Sequence, residues 1–182
     1  MDRSGSSAFT DMKFKNNFSE NTWGFTLIEL LVVISIISLL ASIVLASLNS
    51  ARAKARIARA RADLSEFRKA IALLEDDTSQ SPNHNSVSTC IQDPEVYLDA
   101  PAAGIQATDG NFPNWRGPYM TTVPLDPWGN RYIFDADFFC QGDIGCENIP
   151  NGTVLRVVHS GGPNGSGISV YDGDNVVLVL CR

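Results

Sequence analysis

The sequence has few of the residues from which catalytic and metal sites are built. Its 182 residues include two histidines and four cysteines, and no two cysteines form the Cys-x-x-Cys pair that is typical of zinc and redox sites. Neither His84 nor His159 stands in a His-x-x-Glu-His motif, and the chain has no Gly-x-Ser-x-Gly motif and no Walker loop. We therefore expect that the protein is not an enzyme.

Basic residues are scarce in the C-terminal part. After Pro82 the chain has eleven acidic residues against four arginines, and half of its basic residues lie between Arg52 and Lys69. The formal net charge is -6, whereas a surface that binds phosphates needs a basic excess. We therefore do not expect nucleic acid as the main partner of the whole molecule.

One long apolar run dominates the N-terminal part. Residues 25–48 are apolar except for Thr26, Glu29, Ser35, Ser38, Ser42 and Ser47. As a helix the run would be about 36 Å long, at about 1.5 Å per residue, which is enough to cross a bilayer. It is too long for the apolar core of a secretory signal peptide, so we expect a retained membrane segment.

A second helical pattern follows directly. Residues 49–77 contain neither Gly nor Pro and are rich in Ala, Arg, Leu and Lys. Apolar residues recur there at spacings of three and four: Ile57, Ala60, Leu64, Phe67, Ile71 and Leu74. The pattern predicts one continuous helix over residues 25–77, whose second half packs an amphipathic face on a globular head.

The composition changes beyond this helix. Residues 78–82 end the predicted helix. Clusters of Gly, Pro, Asn and Asp then separate short runs rich in β-branched and aromatic residues. The predicted strands are 131–134, 153–159, 168–171 and 176–180, and residues 98–113 are predicted as a loop with a short helix. Turn-type connections indicate an antiparallel sheet. The predicted fold class is therefore α+β, with a long N-terminal helix packed on a small antiparallel sheet.

The cysteines allow two interpretations. All four follow the apolar run, so export of this part would permit two disulfides. The short, Gly-containing segment between Cys140 and Cys146 can close a loop, which favours this pair and leaves Cys90 with Cys181. The alternative is four reduced thiols, buried as small apolar groups.

The start of the apolar run carries a specific motif. Residues 24–56, GFTLIELLVVISIISLLASIVLASLNSARAKAR, closely resemble the N-terminus of class III prepilins, which are the type IV pilins and the pseudopilins of type II secretion. The resemblance implies that a prepilin peptidase cleaves between Gly24 and Phe25 and that the new amino group of Phe25 is N-methylated. It also implies that Glu29, at the fifth mature position, acts with Phe25 and Thr26 in assembly and subunit register.

The resemblance also implies how the chain is organised. The expected segments are a leader that is removed (1–24), a transmembrane half of the helix that becomes filament core (25–48), an amphipathic half (49–78) and a globular head (79–182). Translation could start at Met12 instead of Met1, because Met12-Lys13-Phe14-Lys15 is the more typical leader start.

The orientation in the membrane is also implied by the family. The basic residues that follow the apolar run would face the cytoplasm by the positive-inside rule alone. Prepilins have the opposite orientation, with the leader in the cytoplasm and the head outside, and we follow the family. The expected location is the inner (cytoplasmic) membrane, and then a periplasmic or cell-surface filament.

A carboxylate inside the apolar run needs a partner. In a bilayer an unpaired charged Glu29 would be costly. The family's partner is the N-terminal amine of a neighbouring subunit, here that of Phe25, and this pairing would set the axial register between subunits. The alternative is that Glu29 lies near the headgroups, where the positive end of the helix dipole stabilises it.

A second resemblance lies in the head. Residues 116–134, RGPYMTTVPLDPWGNRYIF, are similar to the segment before the first strand of the major pseudopilin of type II secretion. The segment contains a turn made of Asp126, Pro127, Trp128, Gly129 and Asn130. Proline presets such a turn, Gly129 or Asn130 can take positive φ, and Trp128 can anchor it on the core, so we expect a structural role.

The same family binds calcium in a C-terminal loop. In the corresponding residues 160–167 this chain has Asn164 where an acid would be expected, and Asp172 and Asp174 follow. Calcium takes about six to eight oxygen ligands, of which these three side chains could supply a few. A structural calcium ion and a plain Asp-Gly turn are the two interpretations.

The basic run over residues 52–61 leaves several interpretations open. It could hold anionic lipid headgroups before assembly, pair with the acidic heads of neighbours, bind DNA in an uptake filament, or be a solvated helix face.

Together the resemblances imply a structural subunit that is most similar to the major pseudopilin of type II secretion and moves cargo outward. The implied partners are other copies of the chain, minor pilins or pseudopilins, the prepilin peptidase and N-methyltransferase, the inner-membrane assembly platform and, before assembly, membrane lipid. One alternative is a true type IV pilin for adhesion, motility or DNA uptake, which alone would make nucleic acid a partner. The other is a membrane-anchored binding or enzyme domain that never polymerises.

Overall fold

A computed structural model gives the fold of the protein. It describes residues 24–87, 95–140, 146, 148–167 and 171–181, without the side chain of Cys181. The predicted pairing of Cys90 with Cys181 and the predicted leader up to Trp23 lie outside the described residues. The chain divides into two compact units, Met1–Leu45 and Ala46–Arg182.

Helix α1, Leu27–Thr78, is 52 residues long and belongs to both units. Its bounds agree with the predicted helix over residues 25–77, since no glycine or proline interrupts it. In the first unit all described residues are exposed, and the most apolar stretch of α1 has a mean hydropathy of 2.8 with none of it buried. By length and composition α1 can therefore cross a membrane.

In the second unit α1 buries one face. The buried residues recur at the predicted spacings: Ala60, Leu64, Phe67, Ala70, Ile71, Leu74 and Thr78. The buried stripe begins at Ala60 and not, as predicted, at Ile57, which is 37% exposed. Ile57 stays exposed because it lines an open groove instead of packing on the sheet.

Four strands form one antiparallel sheet in the order β3-β4-β5-β6. They are β3 (Val96–Tyr97), β4 (Ile133–Phe139), β5 (Val154–Ser160) and β6 (Val176–Cys181), and two shorter strands, β1 (Gln80–Ser81) and β2 (Asn85–Ser86), pair directly after α1. The predicted α+β class with a small antiparallel sheet is confirmed.

The predicted strands 153–159 and 176–180 agree with β5 and β6 within one residue. In contrast, β4 begins two residues later than predicted and continues to Phe139. Arg131 precedes the strand, and its guanidinium binds Asp99 and lies over the ring of Tyr97, 3.8 Å from the ring centroid.

Two other parts of the head differ from the prediction. The predicted strand 168–171 is wrong at Tyr171, which lies in no strand and donates its hydroxyl to Asp135, and residues 168–170 lie outside the described part. No pattern predicts β3, because two residues are too few to show an alternation. The short helix expected within 98–113 is present as a 3-10 turn at Pro101–Ala103.

The central strand β5 is buried on both faces. On one face Val158 belongs to the main core with the stripe of α1, where Phe67 and Tyr132 meet edge to face at 4.7 Å. On the other face Leu155 and Val157 pack with Phe138 in a second core. A strand covered on both sides carries apolar residues on both faces, which explains why β5 does not alternate.

The second core contains the predicted disulfide between Cys140 and Cys146. The S–S distance is 2.08 Å, and both residues are buried. The two cysteines pack beside Phe138 and Leu155, so the disulfide forms part of the core that covers the outer face of the sheet.

Arg156 joins the end of α1 to the sheet. It is 3% exposed, and its Nη1 donates to Glu75 Oε1 at 3.1 Å and to Ser81 Oγ at 2.8 Å. Its Nη2 donates to the carbonyl of Ser86 at 3.0 Å. A buried guanidinium is tolerated only with such partners, so this contact fixes α1, the β1-β2 pair and β5 against one another.

A buried histidine lies beside the second core. His159 is fully buried, and its ring centroid is 6.3 Å from that of Phe138 and 5.9 Å from that of Tyr171. Within the described part of the chain, neither of its ring nitrogens has a hydrogen-bond partner. Burial lowers the pKa of His159 from 6.5 to about 4, so the ring is neutral at neutral pH.

We expect His159 to make the fold sensitive to acid. The unfolded chain takes up the proton first, because its histidine pKa is higher. The contribution of the buried neutral ring to the free energy of unfolding is therefore complete above about pH 6.5. It is lost as the pH falls towards about 4. His159→Leu removes the titrating group. The free energy of unfolding of this variant, minus that of the wild type, should rise by about 3 kcal/mol between about pH 7 and pH 4.

Denaturant unfolding of the full chain in detergent at a series of pH values measures this difference. A difference that stays constant over the whole range would show that His159 does not titrate as a buried neutral group.

Candidate functional site

The first site lies at the start of α1. Glu29 Oε2 accepts hydrogen bonds from the backbone N–H of Thr26 at 2.9 Å and from its hydroxyl at 2.8 Å. In return Thr26 Oγ1 accepts from the backbone N–H of Glu29 at 3.2 Å. This reciprocal pair is a capping box, which satisfies N–H groups that the first turn of a helix leaves without partners.

The capping box turns the carboxylate of Glu29 towards the N-terminal end of the helix. Both bonds from Thr26 end on Oε2, so Oε1 can accept from another donor. Gly24 and Phe25 precede the helix, and Phe25 is 89% exposed. The three residues that the motif assigns to assembly are thus adjacent and accessible in the isolated chain.

The sequence contains the signal for this cap. Thr-x-x-Glu directly before an apolar run is the pattern of a capping box, whereas the family motif predicts for Thr26 only a part in subunit register. The structure adds a local role for Thr26, which is to hold the Glu29 side chain in place.

The serines of the apolar half bond within the helix. Ser35 and Ser38 donate to the carbonyls four residues earlier, at 2.8 and 2.7 Å, and Ser42 donates to the carbonyl of Leu39 at 2.8 Å. A hydroxyl that donates to a carbonyl of its own helix is not left without a hydrogen-bond partner in lipid. These serines therefore do not prevent α1 from crossing a membrane.

The second site is the turn at residues 126–130. Asp126 is 4% exposed, and its Oδ1 accepts from the backbone N–H groups of Trp128 at 3.0 Å and Asn130 at 2.7 Å. Its Oδ2 accepts from the hydroxyl of Ser160 at 2.5 Å. Pro127 follows Asp126 in the turn, and Gly129 takes a φ of 96°. The carboxylate thus holds the turn closed and joins it to the end of β5.

The other side chains of the turn fix it to the head. Trp128 is partly buried and packs against the main core. The side-chain amide of Asn130 donates to the carbonyl of Gly162 at 2.8 Å. The turn is therefore a junction between the segment before β4 and the loop after β5.

The third site is the expected calcium loop. Asn164 Nδ2 donates to Asp172 Oδ2 at 2.5 Å and to Asp174 Oδ1 at 3.3 Å. The loop lies so close to Asp174 that a side chain at Gly162, whose φ is 65°, would collide with the Asp174 carbonyl. The three residues chosen from the sequence therefore lie together.

The electrostatics of this loop are those of two adjacent carboxylates. The hydrogen bond between them lowers the pKa of Asp172 and raises that of Asp174. Two carboxylates and an amide are ligands that calcium prefers. The amide of Asn164 donates its NH₂ group to the carboxylates, so it would have to turn over before its oxygen could bind a cation. The donor set fits calcium in chemistry but supplies only part of the usual ligand number.

Two family models match the chain. The model described as type II secretion system (T2SS), protein G matches residues 47–142. The model described as prokaryotic N-terminal methylation motif matches residues 24–45. The two matched ranges together include the start of α1 and the turn at residues 126–130.

Curated relatives that carry the name Type II secretion system core protein G are similar over much of the chain. The protein of Klebsiella pneumoniae is 35% identical over 142 residues, which are 72% of this chain and 94% of that protein. The protein of Escherichia coli K12 is 34% identical over 110 residues, 60% of this chain and 69% of its own length. That of Dickeya chrysanthemi is 29% identical over 156 residues, with 79% and 95% covered.

We expect Asp126→Ala to lower the free energy of unfolding by about 3 kcal/mol, because buried donors in the turn and on Ser160 lose their acceptor. The matched control is Asp109→Ala, another turn aspartate, which accepts from a backbone N–H two residues later and contacts His84 Nε2 at 2.9 Å but is exposed. It should cost about 1 kcal/mol or less. Denaturant unfolding of both variants measures the costs, and equal costs would contradict the role of the turn as a buried junction.

Proposed function

Because the chain belongs to the type II secretion system protein G family, we propose that it is a structural subunit of a pseudopilus that polymerises through the start of α1. The family models and the curated relatives confirm the resemblance inferred from the two motifs. The family is one of structural pseudopilins and not of enzymes. The observation that carries the proposal is the capped carboxylate of Glu29 at the start of an apolar helix half that packs on no other segment in the described part of the chain.

The apolar half of α1 needs an apolar environment both before and after assembly. Its large side chains are exposed in the isolated chain, for example Leu27 at 82% and Leu39 at 66%. Such a surface is stable only in lipid or against other apolar helices. Lipid would cover it while the subunit is stored, and the helices of neighbouring copies would cover it in the filament. Because one apolar environment replaces another, the exchange supplies no hydrophobic driving force of its own, and the charges decide the register.

Glu29 would decide that register. Cleavage after Gly24 creates an amine on Phe25, and in a dry filament core a carboxylate of one copy and an amine of the next stabilise each other. A copy inserted out of register would leave both charges buried without a partner. The capping box supports this step because it holds the carboxylate towards the end of the helix from which an incoming amine would arrive.

The location and the partners follow from the same proposal. An apolar N-terminal helix on a member of this family fits membrane anchoring and a periplasmic filament. We place the stored subunit in the inner membrane with the head outside, where a prepilin peptidase, an assembly platform and minor pseudopilins would act on it. The names of the relatives favour secretion over an adhesive, motile or DNA-uptake pilus.

Variants of Glu29 separate the charge from the cap. Glu29→Gln keeps an acceptor for Thr26 but loses the charge, so assembly should fall to the level of Glu29→Ala if pairing with the amine is what matters. Ser35→Ala, in the same helix half, is the matched control and should assemble as the wild type does. The measurement is the amount of filament sheared from cells that express the secretion system.

The N-terminus of each variant, read by mass spectrometry, controls for processing. N-methylated Phe25 is expected in the wild type and in the variants. Normal assembly of Glu29→Gln would show that Glu29 acts only as a helix cap. A wild type that keeps Met1 or Met12 would contradict the proposed function.

A structural calcium ion at Asn164, Asp172 and Asp174 is a further part of the proposal. It would neutralise the two carboxylates and join the loop after β5 to the turn before β6. A ligand that binds only the folded chain stabilises it, by about 2.7 kcal/mol at a hundredfold excess over its dissociation constant.

We therefore expect the melting temperature of the full chain to rise when calcium replaces a chelator. Asp172→Asn should abolish this rise, and Asp76→Asn, at an exposed position of α1, should retain it. A wild type whose melting temperature is the same in calcium and in chelator would leave a plain Asp-Gly turn.

A further inference from the structure

A groove lies between the middle of α1 and strand β6, within the second compact unit. It has a volume of about 1330 Å³, and its walls are formed by α1 from Asn49 to Arg68 and by residues 176–180 of β6. Among the described residues that line it, four are arginines and one, Asp174, is acidic. Asp174 Oδ1 accepts from the side-chain amide of Asn164 at 3.3 Å. The lining of the groove therefore carries a net positive charge.

Three of the four arginines have no anionic partner in the described part of the chain. Arg68 Nη2 donates to the carbonyl of Val179 at 2.5 Å, which ties it to the edge of the sheet. In contrast, Arg52, Arg56 and Arg61 are exposed, and none of them forms a salt bridge with another described residue. Like charges four residues apart on a helix repel each other, so Arg52 and Arg56 favour an anion that both can bind.

These arginines follow directly on the apolar run. Arg52 comes four residues after Leu48, which is about 6 Å along the helix at about 1.5 Å per residue. The sequence has no acidic residue between Glu29 and Asp63. When the apolar run crosses a bilayer, the geometry of the helix places Arg52 among the headgroups, and the long side chain of Arg56 reaches them from the next turn.

The proposed orientation of the subunit gives these charges no role in topology. With the head outside, the basic run over residues 52–61 lies on the side of the membrane where the positive-inside rule disfavours it. Anionic phospholipids offer a compensating attraction at this level, since basic residues next to a membrane helix bind anionic headgroups. A guanidinium suits this ligand because it can bind a phosphate through two parallel hydrogen bonds.

We propose that Arg52, Arg56 and Arg61 form a site in this groove for the phosphate group of an anionic phospholipid from the membrane that the apolar half of α1 crosses. Ile57 lines the groove with these arginines and is 37% exposed. An apolar contact beside the positive charges suits a lipid better than a free phosphate ion.

The lipid site rests on the proposed function for the orientation of the stored subunit, and it adds a partner to the storage state. The head holds an anionic lipid while the subunit waits in the membrane. The lipid has to leave when the subunit is extracted into the filament, so a membrane rich in anionic lipid favours storage over assembly.

Photo-crosslinking in vesicles tests the site. The full chain, with a photoreactive amino acid in place of Ala53, is reconstituted in equal amounts of phosphatidylethanolamine and phosphatidylglycerol with the same acyl chains. Ala53 lines the groove, so it should crosslink to phosphatidylglycerol at least about three times as often as to phosphatidylethanolamine. The matched control is Ala51, which is exposed at nearly the same depth but does not line the groove, and should crosslink to both lipids equally.

Two results of this experiment would overturn the site. The same preference for phosphatidylglycerol at both positions would show a general attraction of the basic run to an anionic surface. Crosslinks from position 53 mainly to a second copy of the chain would assign the groove to a contact between subunits.

Paired charge variants give an independent test. In the full chain in an uncharged detergent, Arg52→Gln with Arg56→Gln should weaken the binding of phosphatidylglycerol at least about tenfold, measured by native mass spectrometry. The matched control is Lys54→Gln with Arg59→Gln, which removes the same charge from the same exposed run. Neither residue lines the groove, and Arg59 contacts Asp63 at 3.9 Å, so the loss should be less than about threefold. Equal losses in the two pairs would overturn the site.

The same assay distinguishes a lipid from a free anion. Inorganic phosphate at the same concentration should leave phosphatidylglycerol bound to the wild type. Displacement of the lipid would assign the arginines to a phosphate ion and overturn the lipid site.

These tests use the unassembled chain, so they separate the lipid site from the proposed function. A wild type that forms filaments with N-methylated Phe25 but shows no lipid preference at position 53 would remove the site and leave the function in place. A wild type that shows the preference but forms no filament would remove the function and leave the site.

Discussion

The head depends on one buried face of α1. The stripe from Ala60 to Leu74 supplies six of the sixteen buried residues described for the main core. Near its end the buried guanidinium of Arg156 binds Glu75 and the β1-β2 pair. Separating the buried guanidinium from Glu75 would leave its charge uncompensated, so the end of the helix cannot shift without loss of stability. This contact and the buried stripe together hold the sheet on α1.

Features with a local or periodic cause could be predicted from the sequence. The helix follows from a long stretch without glycine or proline, and its buried face from spacings of three and four. Strands β5 and β6 follow from β-branched runs between turn residues. The pairing of Cys140 with Cys146 follows from the short loop between them. The start of the apolar run was recognisable because a motif of fixed spacing carries it, although its assembly roles stay predictions.

Features that depend on distant partners could not be predicted in the same way. A lone arginine within β5 does not indicate that Arg156 is buried, because its partners lie about 70 to 80 residues earlier in the chain. Strand β3 exists only because β4 offers an edge to pair with, and Ile57 is exposed because the sheet does not extend that far. In contrast, the cap formed by Thr26 has a local pattern, Thr-x-x-Glu, and could be predicted from the sequence. The family motif covers the same residues and had assigned them another role.

The hydroxyls of Ser35, Ser38 and Ser42 have a mechanical consequence. Each donates to a carbonyl that already serves the backbone ladder of α1, and such shared acceptors weaken the ladder and favour bending. These turns should lengthen first when a filament is pulled along its axis. The filament core would then extend elastically, whereas the heads, held by two cores and by the buried guanidinium of Arg156, would keep their shape under load.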